Sequence, residues 1–416
     1  MAAVDESSPR YRGWQVVAVC FVVIAVASGA RFAFGVLLDP LVVAFHASRT
    51  AVAVTQSVQL LAYAASQPVM GRLIDRHGPR TTFVASILAI TAGLVGSAFA
   101  PSLGWLYLTL GVLVGAGYGG VGALAIAAIV SPWFRVRRRF AVSVANSGFN
   151  LGQLAVAPVL GLALTAFAWQ QGVLALGVVM FLTLVPAVAV LGRRRRSAAA
   201  NEEPDEATGF EGLVDVSTFR EILRTRTYRG VVLSYFVCGF TDFVVIVHLV
   251  SYLRGVGYSL PVASAALGLV GGASFVGVLV GGWVADRVRT KDTLAGFYGI
   301  RVVGYLLLWA VAGAGPWRDA FVYAFVAVFG VTLYATAPLT STFMADLYGD
   351  SLMGSSYGWA SATHHVGGAI GAAFAAAVFD ATGAYGPAFL VCAGLLVVGA
   401  TAVSLVHEPR SRPAVG

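Results

Sequence analysis

Arg31 and Asp242 each stand deep inside a long apolar run, a setting where ionisable side chains are rare and usually functional. Arg31 lies about 17 residues into its run, roughly 25 Å of helical rise, and Asp242 about 12 residues in, roughly 18 Å. A guanidinium at that depth binds a carboxylate or another anion, and a carboxylate carries a proton or balances a cation. Buried alone, each charge is heavily penalised; paired, each compensates the other. The sequence therefore predicts that the two face each other across a common polar path. The competing readings are a static pair, or Arg31 reaching the surface along its own apolar stem.

Three histidines share this setting. His248 follows Asp242 by six residues and is off its helical face, whereas His364 and His365 are adjacent, so only one can point inward. Each would hold an anion or relay a proton, or would simply satisfy a backbone carbonyl. His365 is preferred over His364, because its counterpart Asn150 in the first half of the chain is also polar. Asn146, Ser147, Asn150 and Gln153 recur at spacings of three and four and so share one stripe of a helix. Such amides line a cavity or bind helices together. Tyr118 offers a phenol inside the glycine-rich VGAGYGGVG, whose spacings read as helix packing with no nucleotide meaning. Arg301, about eight residues into its run, reads as structural or as snorkelling to the near surface. Cys20, Cys238 and Cys392 lie in apolar runs without CxxC spacing, so neither a disulfide framework nor a metal site is expected. No cofactor is expected either.

The elements that position these residues follow from composition. Apolar residues make up 58% of the 416 and charged residues 11%, with a mean hydropathy of +0.82; soluble domains carry about 25% charge. Apolar runs near 14–38, 52–71, 81–100, 104–130, 140–165 and 170–191 predict helices 1 to 6. Runs near 229–253, 262–284, 293–314, 318–345, 354–379 and 385–406 predict helices 7 to 12. The expectation is an all-α membrane protein of twelve spanning helices. The first run is too long for the core of a secretory leader and lacks a small-residue cleavage site, so it is expected to stay as helix 1. The division is a terminus 1–13, a six-helix half 14–191, a linker 192–228, a second half 229–407 and a tail 408–416. The linker, with RRRRSAAANEEPDEATG, is charged and aperiodic, and Phe219 to Arg229 is a candidate surface helix leading into helix 7.

Charge sets the orientation. Of the 27 Lys and Arg, 22 fall on the side that holds both termini and the linker. Arg49, Arg254 and Arg318 fall on the opposite side, and Arg31 and Arg301 lie within helices. The formal charge of +8 therefore reports membrane orientation, not an affinity for nucleic acid, and both termini are expected in the cytoplasm of a cell-membrane protein.

The halves repeat. Gly71, Asp75 and Arg76 of GRLIDRHGPR, after helix 2, align with Gly282, Asp286 and Arg287 after helix 8 at an offset of 211. The same offset sets Arg31-Phe32 on Asp242-Phe243, and NLGQ (150–153) echoes HVGG (365–368). Parallel six-helix repeats joined by a linker are the construction of alternating-access carriers, with substrate near the midplane.

On these motifs the chain resembles the major facilitator superfamily. GRLIDRHGPR is similar to that superfamily's loop motif G-x-x-x-D-R-x-G-R-R, with Pro79 in place of one Arg. The resemblance implies a latch between the cytoplasmic ends of the halves, made by Gly71, Asp75, Arg76, Gly78 and Arg80, with Asp286 and Arg287 as repeat counterparts. The bland alternative is a loop anchored at the membrane surface. SPWFRVRRRFAVSVANSGFNLGQ, YRGW, GARFAFGVLL and HHVGGAIGA resemble the bacterial monocarboxylate-transporter-like branch, which includes oxalate/formate exchangers. That branch commonly has an arginine in helix 8, and 271–285 here has none.

The function expected is alternating-access transport of a small anionic, carboxylate-like solute, coupled to protons or to exchange. The partners expected are that small molecule, the lipid bilayer and protons as a candidate coupling ion, with the chain acting as a monomer. A drug-type proton antiporter is the alternative, since GQLAVAPVLG (152–161) half-matches the exporter pattern G-x-x-x-x-G-P-x-x-G. A membrane sensor or enzyme is the third reading. Against an enzyme stand the missing HExxH and Walker patterns.

Overall fold

In hydrocarbon every backbone N–H and C=O must find a partner within its own segment, so apolar runs of this length become helices. The computed structural model describes residues 8, 11–134, 136–191 and 219–408. Among them no strand occurs. Most of the terminus 1–13, the linker up to residue 218 and the tail from residue 409 lie outside the described residues.

The helices are α1 (Arg12–Phe45), α2 (Arg49–His77) and α3 (Pro79–Ala98). The composite α4 runs through Leu103–Leu106, a π-helical stretch Tyr107–Leu113, Val114–Tyr118 and Ala123–Val130. Then come α5 (Arg138–Ala163) and α6 (Trp169–Leu182, continued as Leu184–Leu191). The second set is α7 (Arg226–Gly255), α8 (Leu260–Ala285), α9 (Thr290–Ala310), α10 (Arg318–Leu333 and Thr336–Tyr348), α11 (Asp350–Thr382) and α12 (Gly386–Ser404). The expected twelve helices are present, several a few residues longer at each end than the apolar runs. α1, at 34 residues, outreaches a bilayer core, so its ends stand in the interfaces. The segment before α7 is a single turn, Phe219–Ile222, followed by α7 itself.

Among the described residues nine helices are long and apolar enough to cross a membrane by themselves. The other three, α2, α4 and α5, owe their shortfall to composition or to breaks. α2 carries Gln56, Ser57 and Gln59 on a buried face, α5 carries the Asn146–Gln153 stripe, and α4 is interrupted at its glycines. Polar residues that face protein interior rather than lipid are tolerated in such helices.

The chain forms two compact units, and each draws on both sequence halves. The first comprises residues 1–194, 244–272 and 372–383; the second comprises 195–243, 273–371 and 384–416. In the first, α1 packs along α5 and α3 along α6. Small residues allow this approach: a Cβ on Gly152 would sit 2.0 Å from the Ala25 carbonyl oxygen. The C-terminal stretches of α7 and α11 and the N-terminal stretch of α8 join this unit, Gly161 of α5 meeting Ser264 of α8. In the second unit α9 packs against α12 and α10.

The loop between α2 and α3 turns on Gly78, whose φ of 84° is open to glycine and strained for other residues. Pro79 then starts α3, where its missing N–H costs nothing. Two members of the GRLIDRHGPR motif are thus explained by turn chemistry alone.

Candidate functional site

In the second unit, α7 carries Cys238 and Asp242 one turn apart, and α9 brings Arg301 against them. Asp242 is ion-paired with Arg301, and both side chains are essentially removed from solvent. Where the sequence set Arg31 opposite Asp242, the ion pair that Asp242 makes within its own unit is with Arg301. That pairing also removes the snorkelling alternative for Arg301, which is fully buried. The repeat sets the two residues at equivalent positions in the sequence, but the compensating charge for Asp242 comes from α9, which the repeat does not single out.

The guanidinium is held at all five of its N–H donors. Nη1 donates to Asp242 Oδ1 and, at 3.2 Å, to Cys238 Sγ. Nε donates to Thr332 Oγ1 at 3.3 Å, and Nη2 to the carbonyls of Thr332 at 2.6 Å and Leu333 at 3.3 Å. Those carbonyls exist as open acceptors because α10 breaks between Leu333 and Thr336, leaving the end of its first segment without intrahelical partners. A cation at that helix C-terminus is also favoured by the dipole. Arg301 therefore caps a helix break and fixes Asp242 in one step.

Asp242 is less completely served. Its Oδ1 is taken by Arg301, whereas Oδ2 meets the Cys238 thiol, a weak donor, at 3.5 Å. His364 of α11 lies beside this carboxylate. Its ring lies against that of Tyr235, centroids 4.5 Å apart and planes tilted by 31°, and Nδ1 is 3.2 Å from the Tyr235 carbonyl oxygen. The helices can approach because of Gly239: a Cβ there would sit 1.8 Å from the His364 carbonyl oxygen.

Ligand atoms of Cys238, Asp242 and His364 all lie within 4.8 Å of one another, a donor set of metal-site type. Arg301 Nη1 donates to the thiol and the carboxylate together, so the positive charge of this cluster is the guanidinium.

His365, preferred on sequence grounds, is the more committed of the pair. Its Nδ1 is 2.7 Å from the Ser361 carbonyl on its own helix, and it is His364 that joins the Asp242 cluster. Adjacent residues on a helix point about 100° apart, and the close α7–α11 approach at Gly239 selects the first.

In the first unit, Arg31 is 8% exposed and sits over two rings, with Cζ 5.1 Å from the Tyr63 centroid and 5.8 Å from that of Tyr118. The Tyr118 hydroxyl donates to the Ala27 carbonyl at 2.6 Å, one turn before Arg31, which locks the ring against α1. Tyr118 was singled out by the sequence; Tyr63 was missed, since nothing in its surroundings on α2 distinguishes it from a packing tyrosine. His248 is fully buried, its Nε2 2.8 Å from the Ala372 carbonyl oxygen, the plain structural role of a membrane histidine.

The α5 stripe divides. Asn146 donates to the Val142 carbonyl at 2.9 Å and Ser147 to that of Val144 at 2.7 Å, both on their own helix. Gln153, fully buried, donates to the Leu267 carbonyl of α8 at 3.1 Å and acts as interhelical glue. Asn150 keeps a buried amide oxygen with no hydrogen-bond donor.

Asp75, Arg76 and Asp286 of the loop motifs are exposed and form no ion pair among the described residues. Gly71 and Arg80 are half-buried, and Arg287 folds onto Trp283, with Cζ 4.1 Å from the ring. A further ionic cluster, which sequence reading did not assemble, ties together Asp39, Arg49, Ser251 and Asp380.

Comparison with known proteins agrees with this architecture. The family model described as Major Facilitator Superfamily matches residues 20–361 and 231–416. The chain is 26% identical to the uncharacterized MFS-type transporter YcxA of Bacillus subtilis, over 96% of this chain and 95% of that one. It is 30% identical to monocarboxylate transporter 11 of Homo sapiens, over 97% of this chain and 84% of that one. In structure it resembles a mutant of the nucleoside transporter NupG, with a TM-score of 0.74, 13% identity, and coverage of 95% of this chain and 100% of the other. At that identity the likeness speaks to fold alone.

Proposed function

The chain belongs to the major facilitator superfamily, a transporter and not an enzyme, and from this we infer that it moves a small organic anion of the carboxylate class by alternating access. The observation that carries the reading is Arg31: a guanidinium deep in α1, nearly removed from solvent, with the rings of Tyr63 and Tyr118 beneath it. Arginine stays charged at any working pH and offers a planar fork that matches a carboxylate. The aromatic faces hold the guanidinium in place, a geometry worth more where water is excluded. The monocarboxylate transporters among the relatives support the same solute class.

Asp242 and His364 are the candidate coupling groups. Arg301 anchors one oxygen of Asp242, and the other has only a thiol donor, so that oxygen can take a proton without dismantling the ion pair. The imidazole of His364 stands near enough to pass or receive it. Proton-coupled movement and anion exchange both fit this arrangement. The concentration of 22 of the 27 basic residues on one side supports cytoplasmic termini in a cell-membrane protein, with the 192–228 linker on the same side.

The test is uptake into proteoliposomes of a panel of short mono- and dicarboxylates beside lipophilic cations. Saturable uptake of an acid is the expected result. Arg31→Gln should weaken its binding about tenfold or more, the loss of a charge-assisted hydrogen bond, while the variant stays monodisperse in detergent. Movement of cations alone would sink the anion reading in favour of a drug-type antiporter.

A further inference from the structure

The ends of α1, α7 and α11 that belong to the first unit meet the start of α2, and an ionic network joins them. α2 opens with Ser48 as its cap, Oγ accepting from the Ala51 N–H at 3.1 Å, but has no acidic residue of its own in the first turn. The carboxylate that favours a helix N-terminus comes instead from Asp380 at the far end of α11. Its Oδ1 accepts from the Arg49 N–H at 3.2 Å. Its Oδ2 accepts from the Thr50 N–H at 2.8 Å and the Thr50 hydroxyl at 2.6 Å. Beside this cap, the Arg49 guanidinium donates to Asp39 Oδ1 of α1 and to Ser251 Oγ of α7, and Ser251 donates to the same Asp39 oxygen at 2.5 Å. Arg49 also lies over the Phe379 ring, 4.4 Å from its centroid.

Asp39, Arg49 and Thr50 belong to the first sequence repeat, whereas Ser251, Phe379 and Asp380 belong to the second. In a carrier that alternates, the repeats must part at this end to admit solute and close again to release it on the other side. We propose that Asp380, by capping α2 together with the Asp39–Arg49–Ser251 bridge, is the latch that holds the outer mouth shut. The latch stands at the end opposite Asp75 and its neighbours. The parts are suited to repeated breaking: the Arg49 and Asp39 side chains keep 21% and 24% of their exposure, so water can take over their hydrogen bonds when the mouth opens. A fully buried pair would pay a larger desolvation cost at every cycle. The proposal rests on the alternating-access reading but on no particular solute.

The experiment therefore reads conformation, not transport. Spin labels on cysteines placed at Val43 and Val262, both exposed on the first unit, report the opening of this end by pulsed electron resonance in nanodiscs. The three native cysteines are buried and stay unlabelled. The wild-type background should show a mainly short distance. Asp380→Asn keeps the shape and removes the charge, and should shift the ratio of long to short distances about tenfold toward long, as expected for lost charge-assisted bonds. Arg49→Gln should act in the same direction. In a separate protein without the labels, Thr50→Cys with Asp380→Cys should form an intramolecular disulfide on oxidation that reopens on reduction. Unchanged distances in Asp380→Asn, or no cross-link in the cysteine pair, would overturn the latch. A solute panel that fails to move would leave these distances as they are and bear only on the anion reading.

Discussion

At the residue scale the arrangement of Arg301 decides what each charge is for. Its five donors are distributed over a carboxylate, a thiol, a hydroxyl and two carbonyls, so removing it leaves more than a stranded charge. Arg301→Ala exposes Asp242 to an apolar surround and leaves the carbonyls at the α10 break without a donor. Asp242 can escape by taking up a proton; the carbonyls cannot. Asp242→Asn leaves Arg301 with four of its five bonds and should be the milder change. Breaking a buried pair costs about 3–5 kcal/mol, so Arg301→Ala should lower the detergent melting temperature by the larger amount. Arg301→Lys should rescue little of it, since three donors on a point charge do not reproduce the fork. Melting of Arg301→Ala, Asp242→Ala and the double alanine variant should be non-additive, the double losing less than the sum. Strict additivity would mean that the two side chains do not interact.

At the scale of the element, the site depends on how closely α7 and α11 approach. Gly239 faces the backbone of His364, and the 1.8 Å separation its Cβ would have cannot be relieved by turning a side chain. Gly239→Ala must push α11 off α7, carrying His364 away from Asp242, at about 1–3 kcal/mol for an overpacked interface. Gly282→Ala, with nothing within 4 Å of the added Cβ, is the matched control. A lowered melting temperature and impaired turnover are expected for the first and not for the second. Equal behaviour would show that the approach at Gly239 is not critical. The same reasoning explains the loop motif in part: Gly78 is demanded by its positive φ and Pro79 by its place at the start of α3. Gly71, Asp75 and the arginines are left to carry a latch.

At the scale of the whole molecule two expectations concern orientation and cycling. Cysteines at Ser102 or Gly315 should react with an impermeant thiol reagent from outside the cell, and one at Ala199 only from inside. Labelling of Ala199→Cys from outside would reverse the orientation. Asp75 is exposed in this structure, where the Asp380 cap is formed at the other end. If the GRLIDRHGPR motif closes the cytoplasmic end, Asp75→Asn should leave insertion and melting unchanged but slow turnover several-fold by shifting the balance of states. Wild-type turnover in a well-expressed Asp75→Asn protein would remove the motif from the cycle. Paired with Asp380→Asn, the two variants should bias the carrier in opposite directions.

By itself the sequence determined the class, the twelve helices, the repeat and the superfamily. Each of these rests on patterns local to the chain: runs long enough to span hydrocarbon and a motif recurring at one offset. It also marked the ionisable residues that lie within spans, because burial of charge is legible wherever apolar runs are. What it could not assign was partnership. Asp242 was matched to Arg31 by symmetry, and the tertiary structure gave it to Arg301, because charge compensation depends on which helices touch and where α10 breaks. The choice of His364 over His365 turned on one glycine contact between α7 and α11. The Asp39–Arg49–Ser251–Asp380 cluster is drawn from four helices, and only the packing of their ends makes those separated residues a single device. Spacing along a helix predicts which residues share a face; which face meets which is settled by close packing over the whole chain.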